Sequence, residues 1–273
     1  LYHLEKRTKK KYVTCFIGPE SYDIPSGVRA RVRGTKTLHA AVLEAIRVAE
    51  PSREAEIVKR FSIPQNEMVA LANKICKGLS DKQRYIRGLY TGGTFAYETL
   101  VILGRMIGDV YSNAPIDPKL KLADSYQSVN DSIVDLGEEE FTVGRAHPMI
   151  DPTIRKMRLI EEAKDPEVAV IIMDFMLGYG SHSDPAGAML GAILDAKKIA
   201  EKDGRALPML AHVCGTEQDP QPLSEQVGKL RNAGIEVFPT NALMAIGSAL
   251  ISRKGKVDSS IMEDVYENYL TGF

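Results

Sequence analysis

Tyr85-Ile86-Arg87-Gly88-Leu89-Tyr90-Thr91-Gly92-Gly93-Thr94-Phe95-Ala96-Tyr97-Glu98 is the stretch whose reading decides the fold. Its first six residues read as a short strand, and residues 95–106 read as a helix. A strand that turns through two glycines into a helix leaves free backbone N–H groups pointing at one spot, where the helix dipole adds partial positive charge. Two readings stay open at this point. Thr91-Gly92-Gly93-Thr94 is either a tight turn with no ligand or an anion site.

The same alternation continues downstream. Strands are expected at 85–90, 132–136, 168–174, 209–213 and 235–238. Helices follow them at 95–106, 152–164, 185–202, 221–232 and 241–252. Five βα units with Val- and Ile-rich strands imply a parallel sheet covered on both faces. The expected fold class is therefore α/β: a flavodoxin-like, doubly wound, parallel five-stranded sheet, with ligands outside the carboxyl ends of the strands. Residues 109–131 are long and polar and read as an ordered excursion or flap.

Upstream, residues 1–11 carry a basic run, read as a solvated segment leading into a strand at 12–17. Gly18-Pro19 ends that strand, and a second is expected at 28–32. A helix over 37–49 follows, with Leu38, Val42, Ala45 and Val48 on its apolar face. Residues 1–50 therefore read as the closing portion of a second, similar α/β domain, too short to bury a core alone. Residues 51–83 read as a helical linker. Within it Ser62-Ile63-Pro64-Gln65 resembles a capped helix start. The stripe Met68, Leu71, Ala72, Ile75 and Leu79 would pack on its own domain or in a dimer. The main domain spans 84–273.

Of 273 residues, 44% are hydrophobic and 26% charged, as in ordinary globular proteins. The 35 basic residues nearly balance the 36 acidic ones, so no global field draws the chain to nucleic acid. Apolar runs are too short to span a bilayer. No signal-peptide pattern opens the sequence, and Cys15, Cys76 and Cys214 form no disulfide framework. A reducing, cytoplasmic setting is expected, with neither nucleic-acid nor membrane partner.

Three later helices open on the same dipeptide: Asp151-Pro152, Asp184-Pro185 and Asp219-Pro220. An Asp there caps free N–H groups and meets an incoming phosphate with like charge. The helix after Thr94 brings no such carboxylate, so it is the one expected to be open to an external anion. Other polar clusters belong to the same sheet edge: Arg145 and His147 after the second strand, Gly178, Gly180 and His182 after the third, and Gly215 and Thr216 after the fourth. Arg145 could pair with an oxyanion. His147 or His182 could serve as acid or base near neutral pH, or be a solvated loop residue. The candidate catalytic residues are thus Arg145, His147 and His182. The candidate phosphate-binding residues are Thr91, Gly92, Gly93, Thr94, Gly178, Gly180, Gly215 and Thr216.

Rival chemistries lack their motifs. His147, His182 and Cys214 lack zinc-ligand spacing, so no metal is expected. Neither a G-x-S-x-G elbow nor a P-loop is present, and no G-x-G-x-x-G opens a helix.

The strings Leu89-Tyr90-Thr91-Gly92-Gly93-Thr94, Ile133-Val134-Asp135-Leu136-Gly137, Thr142-Val143-Gly144-Arg145-Ala146-His147-Pro148-Met149-Ile150-Asp151-Pro152-Thr153 and Gly215-Thr216-Glu217-Gln218-Asp219-Pro220-Gln221 resemble the FdrA family. Those proteins are related to nucleoside-diphosphate-forming acyl-CoA ligases such as succinyl-CoA synthetase. The resemblance covers most of residues 84–252 and is strongest to the C-terminal ligase domain of that synthetase's β subunit. Residues 12–49 resemble the end of an α-subunit-type ligase domain.

The resemblance implies that the glycine turn opens a helix whose N-terminus holds a phosphate. It also implies an acyl-CoA-synthetase-like subunit acting with other subunits or as a homodimer. CoA or nucleotide would enter only through domains outside this chain, which itself is expected to carry no cofactor. The superfamily's Gly-His-Ala-Gly-type loop is replaced here by Gly18-Pro19-Glu20-Ser21-Tyr22-Asp23, with no His. Carbamoyl transfer between carbamoyl phosphate and oxamate, the ureide-breakdown role associated with FdrA-type proteins, needs no phosphohistidine. It therefore suits the residues better than acyl-CoA ligation. A non-catalytic structural subunit is the third reading.

Overall fold

Residues 9–18 and 32–271 are described by the computed structural model. Its centre is a six-stranded parallel sheet in the order β4-β5-β3-β6-β7-β8. The strands are β3 (Tyr85–Tyr90), β4 (Tyr111–Ser112), β5 (Ser132–Asp135), β6 (Val168–Met176), β7 (Met209–Cys214) and β8 (Glu236–Phe238). With β4 set aside, the order is the 2-1-3-4-5 of a flavodoxin-like sheet, so the expected fold holds. The sixth strand is the addition. It comes from the excursion at 109–131, where two residues of β4 pair with Ser132 and Ile133.

Alternation along the strands feeds two cores. Ile86, Val170 and Ile172 face one side, under α4 (Gly93–Ile107) and α9 (Asn241–Ser252). Leu89, Ile171, Met173 and Phe175 face the other, under α6 (Thr153–Lys164), α7 (Pro185–Lys202) and α8 (Leu223–Asn232). Every residue of α9 is buried, which its apolar-all-round sequence requires. A short α5 (Glu139–Thr142) follows β5, and α10 (Ser259–Asn268) packs on α4.

In the N-terminal region β1 (Tyr12–Cys15) pairs in parallel with β2 (Val32–Thr35). Residues 1–8, most of the expected basic run, and residues 28–31 of the expected second strand lie outside the described residues, as does the loop from Pro19 onward. Helix α1 (Leu38–Ala49) forms where expected, but its buried face differs. His39, Ala40, Leu43 and Glu44 are buried, whereas Val42 is 47% exposed. The start of α1 docks on the main sheet's helices, and that docking sets its rotation. Thr37 caps Ala40 and donates its hydroxyl to the carbonyl of Tyr269, and His39 meets Thr240 at 3.1 Å.

Helix α2 (Glu54–Phe61) leads to α3 (Gln65–Cys76). Pro64, not Ser62, is the cap residue of α3, with no side-chain hydrogen bond. Met68 and Ala72 of α3 enter the core beneath α9.

Candidate functional site

At the carboxyl edge, β3 sits between β5 and β6, where the chain's winding reverses. The turn Thr91-Gly92-Gly93-Thr94 leaves β3 there. Thr91 is buried and already bonded: its N–H and hydroxyl donate to Asp174 Oδ1 and Oδ2, both at 2.9 Å. Asp174, at the same edge on β6, is fully buried and ion-paired to Arg155 at 3.1 Å. Burial pushes the Asp174 carboxyl up, and the Arg155 guanidinium opposes that shift. Arg155 also stacks on Phe175, 4.8 Å from the ring centroid. Tyr90, one residue earlier, donates to Asn241 at 3.0 Å and meets Thr99 at 2.7 Å. The strand end is thus held by a buried polar network, and Thr91 belongs to it rather than to open solvent.

Gly92 and the two residues after it differ. Gly92 is the extended cap residue of α4, with no side chain to cap the first turn. Gly93 and Thr94 are exposed, and no acidic residue lies in that turn. They face a cleft of about 510 Å³. Its walls are Cys15, Phe16 and Ile17 at the end of β1, Ala96 and Tyr97 of α4, and Ala114, Asp135 and Glu138.

The starts of α6, α7, α8 and α9 are closed. Asp184 caps α7 by accepting the Gly187 N–H, and Asp151 accepts the N–H and hydroxyl of Thr153 at the start of α6. Thr240 caps α9. Asp219 does otherwise than its dipeptide predicts. Helix α8 begins only at Leu223, and Asp219 instead binds the N–H and hydroxyl of Thr216. Glu217 takes the helix-end role by accepting the N–H of Ser224.

The remaining predicted residues fall into two groups. Met149 lies beside the glycine turn, its Cε 3.4 Å from where a Gly92 Cβ would stand. His147 precedes it, with Nε2 against Gly137 and Nδ1 accepting the Met149 N–H at 3.2 Å. His182 donates its backbone N–H to Met149, and its Nδ1 accepts the Asp184 N–H at 2.9 Å. Both imidazoles therefore keep Nε2 as the nitrogen not engaged in a local turn. Arg145 is exposed and forms no ion pair among the described residues. None of these three side chains lines the cleft at Gly93.

Gly178 and Gly180 share the turn after β6, and Gly215 and Thr216 share the one after β7. Gly178, at φ +118°, exchanges hydrogen bonds with the Gln221 amide. Gly180 is exposed with open space around its Cα. A Cβ on Gly215 would fall 2.5 Å from Leu177. Thr216 is closed by Asp219.

Asp135 and Glu138 were not singled out by sequence reasoning. Asp135 is the last residue of β5 and pairs with Tyr90. Burial pushes its carboxyl up to about 6, against the lowering effect of the Gly137 N–H it accepts at 2.8 Å. The available signal was one acidic residue ending an otherwise apolar strand beside the Gly93 turn.

Among the described residues no three His, Cys, Asp or Glu side chains group as a metal site, and no helix is long and apolar enough to cross a membrane.

The uncharacterized protein YahF of Escherichia coli (strain K12) is 41% identical over 227 residues, 83% of this chain. The chain spans 42% of that relative's length. The CoA-ligase family profile matches residues 89–249, from the end of β3 through most of α9. The chain belongs to the CoA-ligase family.

Proposed function

We propose that this chain is an FdrA-type, acyl-CoA-synthetase-like subunit that handles carbamoyl or acyl phosphate, with the phosphate held at the start of α4. The observation that carries the reading is the contrast among helix starts at the sheet's carboxyl edge. Those of α6, α7, α8 and α9 are closed by Asp151, Asp184, Glu217 and Thr240, while α4 opens through Gly92 and Gly93 onto a cleft. Backbone N–H groups and the helix dipole are the chemistry that binds a phosphoryl group. Catalysis of carbamoyl transfer to oxamate in ureide catabolism would then be positioning plus electrostatic stabilisation. Arg145, and the Nε2 atoms of His147 and His182, stand on the neighbouring loops as sources of charge and protons. The cytoplasm is the proposed setting, with partner subunits or a second copy completing the enzyme.

The family membership supports a second reading, NDP-forming acyl-CoA ligation, with CoA and nucleotide bound by other domains. The deciding experiment co-purifies the full-length protein with its operon neighbours and measures phosphate released from carbamoyl phosphate. Release that depends on oxamate is the expected result. A phosphoenzyme formed with nucleotide and CoA, without oxamate-dependent release, overturns it in favour of the ligase.

A further inference from the structure

The open start of α4 faces a carboxylate. Asp135 is 3% exposed, and its two oxygens have different surroundings. Oδ1 accepts the Gly137 N–H at 2.8 Å. Oδ2 has no hydrogen-bond partner among the described residues, lies in the wall of the cleft, and would be 3.0 Å from a Cβ on Gly93. An ionised Asp135 sets a full negative charge where the helix would otherwise attract an anion. A protonated Asp135 does the reverse. Oδ1 is already an acceptor, so the proton belongs on Oδ2, and its O–H then points at the helix start as one more donor.

We propose that the oxyanion at the start of α4 binds together with one proton carried on Asp135 Oδ2, so that a carboxylic acid and the backbone N–H groups hold the anion jointly. This rests on the anion site proposed above and makes Asp135 a ligand-contacting residue of it.

The groups around Asp135 favour protonation. Glu138 lines the same cleft, and Asp174 lies at the carboxyl end of β6; both push the Asp135 carboxyl up, after burial. Glu140 of α5 shares Asn113 with the Asp135 backbone. Cys15 from β1 and Tyr97 from α4 complete the titratable wall. His147 reaches Gly137, on the side of Oδ1. Among the described residues no Lys or Arg lines the cleft to hold the carboxylate ionised. An incoming anion adds another like charge and draws the proton more strongly.

The test uses sulfate, which does not titrate between pH 5.5 and 8.5, and calorimetry of the full-length protein in two buffers of different ionisation enthalpy. Wild type is expected to take up close to one proton per sulfate above pH 7, with affinity falling on the order of tenfold per pH unit. Asp135→Asn keeps the acceptor for Gly137 and is expected to bind sulfate with no proton uptake and no pH slope. Wild-type binding without proton uptake, or an unchanged slope in Asp135→Asn, overturns the role of Asp135 while leaving the anion site standing. Failure of both proteins to bind sulfate at every pH removes the anion site itself, and this inference with it.

Discussion

The carboxylate of Glu98 accepts the backbone N–H of Leu38 at 2.7 Å, so a side chain one turn into α4 caps the first residue of α1. Its other oxygen accepts from Asn241 at 2.7 Å, at the start of α9. Three helix starts thus meet on one buried acid, whose carboxyl burial pushes up. Glu98→Ala leaves the Leu38 N–H without its acceptor and takes from the Asn241 amide its shortest hydrogen bond, leaving it the Phe95 carbonyl and the Thr99 hydroxyl. We expect a loss of roughly 2–3 kcal/mol in urea unfolding, with Glu98→Gln losing less. Hydrogen exchange at Leu38 should accelerate in Glu98→Ala, because its N–H then loses its acceptor while the Thr37 cap of α1 remains.

Gly93→Glu separates a working anion site from a plain turn. A side chain at 93 points its Cβ toward Asp135 Oδ2 at 3.0 Å, and its carboxylate occupies the mouth of α4. Acidic residues are favourable in a first helical turn, and Gly93 is exposed, so stability should change by less than about 1 kcal/mol. Phosphate release from carbamoyl phosphate by the assembled enzyme should fall more than about tenfold, the equivalent of roughly 1.4 kcal/mol. Unchanged turnover would make this chain a structural subunit.

The legible parts of the chain were those with local causes. The five principal strands are apolar runs bounded by turn residues, and their winding follows from the βα alternation. Strand β4 is only Tyr111 and Ser112, too short to carry a period, and it exists because β5 offers an edge. Val42 is exposed, against its apolar spacing, because the rotation of α1 is set by Glu98, Tyr269 and Thr240, all distant in sequence. The Asp184 cap was legible from its dipeptide. Asp219 was not, since its choice of Thr216 over a helix depends on where α8 begins. The glycine turn announced itself by composition, whereas the carboxylate facing it arrives from β5 across the sheet.

Asp135 also predicts a stability change with pH. Its folded carboxyl titrates near 6, above the roughly 3.9 of an unfolded Asp. The native state therefore holds the proton that the unfolded chain has released, and stability falls as pH rises from about 4 to about 6, then levels off. Asp135→Asn removes that slope. It should unfold at higher urea than wild type at pH 7.5 and lose the advantage by pH 4. The gain should be on the order of 1–2 kcal/mol, reduced from the full shift because Oδ2 borders an open cleft.

His39 and His212 give the opposite slope. Burial holds both well below the usual imidazole range, at about 4, and neither faces a carboxylate that would restore it. His212 meets the Phe238 carbonyl and stands edge-on to Phe95, with ring centroids 5.2 Å apart. A depressed folded pKa contributes stability above the unfolded value near 6.5, and that contribution is lost as pH falls toward 4. Thermal midpoints measured from pH 7 to pH 4 should fall with a slope of up to two protons from this pair. His39→Asn and His212→Asn should each remove one.

Thr91 and Asp174 supply the last test, because they fix the strand end from which the glycine turn departs. Thr91→Val removes one donor to a buried carboxylate that keeps the Thr91 N–H and Arg155, and should cost about 1–2 kcal/mol. Asp174→Ala leaves the Arg155 guanidinium buried without its counter-charge, with its Nε already lacking a hydrogen-bond partner. Breaking a buried pair from one side costs about 3–5 kcal/mol. If the network merely supports the turn, Thr91→Val should weaken sulfate binding only slightly at a temperature where the protein is fully folded. A loss of sulfate binding in folded Thr91→Val comparable to that in Gly93→Glu would instead make the Thr91 hydroxyl a direct ligand, contrary to its bond with Asp174.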